Sequence, residues 1–162
     1  MARAGIHITF GNLRKDESCK KYYLPADEAL IPTGELRAVA GSPMDFTSSH
    51  TIGERIDQVP GGYDHCCVIR ESGEAMKPAA RLVDPGSGRV LEIATTEPAI
   101  QFYSGNFLNG TDDVAGFRQH HGLCLEAEVC PDAPNKPDFP NSILHPDETC
   151  TQTTVHRFRV LD

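Results

Sequence analysis

Apolar and polar residues alternate along this chain in short runs, most of them closed by proline or glycine. The sharpest run is 123–129, where Leu123, Leu125, Ala127 and Val129 alternate with Cys124, Glu126 and Glu128. A period of two sends successive side chains to opposite faces, so this run predicts a half-buried β-strand carrying both acids on its polar face. Pro131, Pro134, Pro137 and Pro140 follow. None can donate a ladder hydrogen bond, so the strand must stop there. Residues 99–103 predict a second strand, with Gln101 and Tyr103 on one face and Ile100 and Phe102 on the other. Residues 81–83 and 90–96 flank Asp84-Pro85-Gly86-Ser87-Gly88, the pattern of a β-hairpin with a five-residue loop. Further strands are expected over 20–24, 63–69 and 153–160, with a turn at Pro60-Gly61-Gly62. Residues 25–45 read as mostly loop and 47–57 as irregular. Nothing carries a helical period beyond a turn or two. The fold class this implies is all-β, an antiparallel β-sandwich with long structured loops, in one domain over residues 1–162.

Composition narrows the partners. Fourteen Gly and twelve Pro in 162 residues suit a chain rich in turns. A net charge of −8, with Lys20-Lys21 as the longest basic run, argues against nucleic acid and anionic membranes. No apolar stretch approaches the ~20 residues of a membrane span. The start MARAGIHITF lacks the apolar core of a secretory signal. A soluble, cytoplasmic chain is therefore expected. Its six cysteines, at 19, 66, 67, 124, 130 and 150, are expected to be free thiols. No Cys/His spacing matches a zinc site, so no metal is expected.

On spacing alone Glu126 and Glu128 read as an ordinary solvated strand face more readily than as a proton-transfer site. Longer blocks favour chemistry. LPADEALIPTGEL at 24–36, GGYDH at 61–65, SGRVLEIATTEPAIQFYSGNFLNGT at 87–111 and HHGLCLEAEVCPDAPNKPDFPNSIL at 120–144 resemble the aldose 1-epimerases (galactose mutarotases), in that family's order. GIHITFGNL from Gly5 looks like a degraded copy of the family's Asn-His-x-Tyr-Phe-Asn-Leu motif. The resemblance implies a mutarotase-like supersandwich and interconversion of the α and β anomers of free hexoses such as galactose or glucose. One group takes the proton of the anomeric hydroxyl while another protonates the ring oxygen; both are proton transfers, so no cofactor is called for. By the same resemblance the base falls on Glu126, the acid on His7, and the sugar-binding residues on Asp64 and Gln101.

The chain departs from the family's pattern in three ways. It matches only the C-terminal half of the family, so the sandwich looks incomplete, and the family's substrate-binding Arg and a further His are missing. Around His7, Ile6 and Thr9 stand where the family has Asn and Tyr, and Gly11 looks inserted. Glu128 stands where the family has a neutral Gln. A half-sandwich should expose apolar sheet surface and self-associate, as a homodimer or through that surface. A non-catalytic sugar-binding or regulatory remnant of the same fold is the alternative function.

Overall fold

The computed structural model describes residues 5–10, 22–69 and 75–161. Among them ten strands run in order: β1 (His7–Phe10), β2 (Tyr22–Tyr23), β3 (Arg37–Ala38), β4 (His50–Thr51), β5 (Asp64–Val68), β6 (Lys77–Asp84), β7 (Arg89–Thr95), β8 (Ala99–Tyr103), β9 (Cys124–Glu128) and β10 (Thr154–Val160). They form two five-stranded sheets, β10-β7-β6-β1-β4 and β3-β2-β5-β8-β9. Every pairing is antiparallel. The architecture is thus the all-β antiparallel sandwich that alternation predicts. Helical structure among the described residues is limited to four single 3₁₀ turns. No helix is long and apolar enough to cross a membrane.

The sheets meet through their apolar faces. Ile8, Phe10, Ala80, Leu82 and Ile93 of the first sheet join Cys67, Ile100 and Phe102 of the second in one core. Phe102 sits at its centre, edge-on to Phe10 and Phe46 at 5.6 and 5.8 Å and stacked on Tyr63 at 4.9 Å. Aromatic rings favour these offset and edge contacts, which hold the sheets in a fixed relation. The opposite face of the first sheet is charged. Arg81 and Arg159 both reach Glu92, at 3.7 and 3.2 Å, lacing β6, β7 and β10 together.

The two sheets do not overlap fully. Register places Phe158 and Val160 on the same face as Leu91 and Ile93, yet they are 77% and 70% exposed. The second sheet leaves them uncovered. On the outer face of the second sheet the proline segment folds back. Cys130, Ala133 and Phe139 pack there with Leu24, Cys66 and Ala99 in a smaller apolar cluster. That segment covers one end of the outer face and leaves the other end open.

Elements differ from expectation where long-range pairing decides. The hairpin loop is four residues, because Asp84 pairs with Arg89. The Asp84 carboxylate accepts from the Gly86 N–H and the Ser87 hydroxyl, and Gly88 takes the left-handed φ of +70° that closes the turn. Within the expected strand 20–24, Tyr22 and Tyr23 are extended, while Lys20 and Lys21 lie outside the described residues.

Candidate active site

The open end of the second sheet's outer face gathers polar side chains from three adjacent strands. Cross-strand register aligns Cys66 of β5, Gln101 of β8 and Glu126 of β9 in one row. Asp64, Tyr103 and Cys124 form the next row. Gln101 Nε2 donates diagonally to Asp64 Oδ1 at 2.8 Å. The pair leaves the Gln101 amide oxygen and the second Asp64 carboxylate oxygen as acceptors, a set suited to hydroxyl donors. Asp64 is steadied by its own N–H, which donates to His65 Nδ1 at 3.1 Å. Burial lowers the proton affinity of His65, which keeps Nδ1 free to accept.

The strand ends beside these residues are pinned. Ser104 Oγ accepts from Tyr63 N at 3.0 Å, and Asn106 Nδ2 donates to Tyr63 O at 3.0 Å. Gly62 cannot carry a side chain here, since a Cβ would lie 2.3 Å from Asn106 Oδ1. This close packing fixes where β5 begins and β8 ends, and with them Asp64 and Gln101.

The two glutamates on β9 differ in surroundings. Glu126 is exposed beside Gln101, a carboxylate on a rigid strand with solvent in front of it. Glu128 lies opposite Ala99, toward the end covered by the proline segment. Its Oε1 is buried without a hydrogen-bond partner. Burial, then the Glu126 charge, push its carboxyl up to about 7, partly offset by a hydrogen bond with Cys66. Cys66 contacts Cys130 as well; that hydrogen bond and burial raise its thiol well above the usual range. One face thus carries an exposed carboxylate suited to accepting a proton and a half-buried carboxyl that keeps its proton through weak acid and gives it up around neutrality.

The structure does not bring His7, expected as the acid, into this constellation. His7 pairs with Val83 and Thr51 in the first sheet. Its neighbours Ile8 and Phe10 point into the core, so His7 and Thr9 face the other way, on the charged face with Arg81 and Glu92. Its ring approaches Ser49 Oγ at 3.4 Å. Two packed sheets lie roughly 10 Å apart, and His7 and Glu126 point outward from opposite ones. A local likeness of motif carries no information about which sheet a strand joins.

Sequence reasoning passed over the contacts of Cys66 with Glu128 and Cys130, because only the β5–β8–β9 register and the folded-back proline segment bring them together. Among the described residues no cluster of three or more His, Cys, Asp or Glu side chains could hold a metal ion.

Known proteins share the sequence pattern and the fold. The aldose 1-epimerase family model matches residues 11–157. The chain belongs to the aldose 1-epimerase family. It is 43% identical to the galactose mutarotase of Bos taurus over 142 residues, covering 85% of this chain and 41% of that protein. To the aldose 1-epimerase of Escherichia coli (strain K12) it is 37% identical over 145 residues, 84% of this chain and 42% of that one. The crystal structure of a galactose 1-epimerase from Lactobacillus acidophilus superposes with a TM-score of 0.79 at 27% identity, covering 99% of this chain and 46% of the other. An aldose epimerase homologue from C. elegans shares the fold, with a TM-score of 0.80 at 21% identity, covering 99% of this chain and 47% of that one. The chain thus spans under half the length of these relatives. The family match starts at residue 11, past His7.

Proposed function

We propose that this chain carries the sugar-binding and base half of a mutarotase site, interconverting the α and β anomers of free hexoses such as galactose or glucose. Asp64 and Gln101 accept hydrogen bonds from sugar hydroxyls and orient the ring. Glu126 takes the proton from the anomeric hydroxyl. As that oxygen becomes the aldehyde carbonyl, the bond between C1 and the ring oxygen breaks and the ring oxygen is protonated. Rotation about C1–C2 and reclosure on the other carbonyl face, with the ring-oxygen hydroxyl returning its proton to water and Glu126 returning its proton to the new anomeric oxygen, give the other anomer. Because His7 faces away, the ring-oxygen proton comes from water, which has access to this open face. The observation that carries the reading is the exposure of Glu126 in register with a Gln101 already bound to Asp64. Polarimetry of freshly dissolved α-galactose tests it. Equilibration faster than buffer is expected, and the buffer rate would refute it.

A second reading, sugar binding without catalysis, draws on the absence of His7 from the site. Calorimetry separates the two: heat of galactose binding with no acceleration selects the second.

We also propose that the chain associates with a second copy through the uncovered face of β10, where Phe158 and Val160 lie open. Sedimentation equilibrium checks this, a concentration-independent monomer arguing against it. A cytoplasmic location is consistent with Cys66, Cys67, Cys130 and Cys150 being free thiols; cell fractionation checks it.

A further inference from the structure

Beside the Asp64–Gln101 pair stands an aromatic surface that the proton transfers do not use. Tyr103 lies directly across from Asp64 and on the same face as Gln101. Phe107 follows in the turn leaving β8, its ring stacked on Tyr103 with centroids 5.9 Å apart and planes at 24°. The Phe107 N–H donates to the Tyr103 hydroxyl at 2.8 Å, tying the two rings' positions. The turn between them is rigid. Gly105, at φ +71°, approaches Gly122 so closely that a Cβ would lie 2.4 Å from its carbonyl oxygen, and Asn106 is bound to Tyr63. Phe107 is nevertheless 67% exposed. A large apolar ring held rigidly in water next to convergent polar acceptors is the usual composition of a small-molecule site. The π-face of such a ring is negative and attracts polarised C–H groups.

We propose that Tyr103 and Phe107 form a stacking platform for the C–H face of the hexose held by Asp64 and Gln101, and that it favours galacto-configured sugars. This deepens the mutarotase reading and rests on it. In a galactopyranose the axial 4-hydroxyl leaves the C3, C4 and C5 hydrogens grouped on one face. In a glucopyranose the axial hydrogens are divided between both faces. A flat aromatic surface therefore gains more from the galacto ring.

The test compares wild type, Phe107→Ala and Phe107→Tyr on α-galactose and α-glucose. Phe107→Ala should raise KM for galactose about five- to tenfold, the range expected for one aromatic contact. It should leave kcat within about twofold and move the glucose KM less; Phe107→Tyr should restore the galactose KM. An unchanged galactose KM in Phe107→Ala, or an equal effect on both sugars, overturns the platform and leaves the base role of Glu126 standing. Galactose titration followed by aromatic NMR gives a readout independent of turnover. Shifts of the Phe107 and Tyr103 ring signals, lost for Tyr103 in Phe107→Ala, support the platform. Unmoved ring signals at saturating galactose overturn it, as does burial of Phe107 by a second copy in the wild-type oligomer.

Discussion

Replacing Glu128 with Gln should make the protein more stable above neutrality and leave it nearly unchanged in acid. Glu128 is half-buried beside Glu126, with Oε1 out of contact with any donor, and its carboxyl is pushed up from 4.5 to about 7. The folded chain therefore holds a proton that the unfolded chain releases. Between about pH 4.5 and 7 the unfolded state binds fewer protons than the folded one, so stability falls as pH rises through that window and levels off above it. At about 1.4 kcal/mol for each tenfold change in proton affinity, the full displacement would cost about 3.4 kcal/mol. Solvent reaches part of the group, which reduces the expected cost to about 1.5 kcal/mol. Gln has nearly the same shape and never ionises, so it removes that cost. Urea unfolding of wild type and Glu128→Gln at pH 4, 6 and 8 should give a difference near zero, then intermediate, then about 1.5 kcal/mol in favour of the variant. A difference independent of pH, or a variant less stable at pH 8, would refute the assignment of Glu128 as a carboxyl held neutral by burial and by Glu126.

His7→Ala should leave mutarotation within about twofold of wild type, because removing a positioned acid or base costs about a hundredfold or more and His7 faces the far side of the sandwich; polarimetry at matched protein concentration checks this. Phe158→Ser should shift the chain toward monomer at micromolar concentration with little loss of stability, since a side chain 77% exposed contributes little to the core. Sedimentation velocity reads the shift, and an unchanged distribution would argue that β10 is not the contact.

Much of the fold was legible because alternation reports burial directly. Ala99–Tyr103 was bounded correctly, and the two faces of β9 were assigned by period alone. The two-residue strands β3 and β4 carry no pattern of their own; they are strands only because β2 and β1 lie alongside. β6 reaches back to Lys77, through Pro78 and two alanines, residues with no strand signature, and its register slips between Pro78 and Ala80. At the site, Glu126 could be assigned to a polar face from its own segment. The Gln101–Asp64 hydrogen bond could not, being a diagonal contact between strands 37 positions apart in sequence. The placement of His7 was illegible for the converse reason. A short motif likeness fixed its identity, while the choice of sheet depended on pairing with β6 and β4. The exposure of Phe158 was foreseeable only in kind, as uncovered apolar surface on half a sandwich.

The decisive measurement follows the anomeric proton signals of freshly dissolved α-galactose by NMR, with wild type beside a Glu126→Gln variant of equal melting temperature. If Glu126 is the base, wild type hastens the appearance of the β signal and the variant loses that acceleration by about a hundredfold or more. If the two proteins equilibrate the sugar at the same rate, proton removal by Glu126 is contradicted.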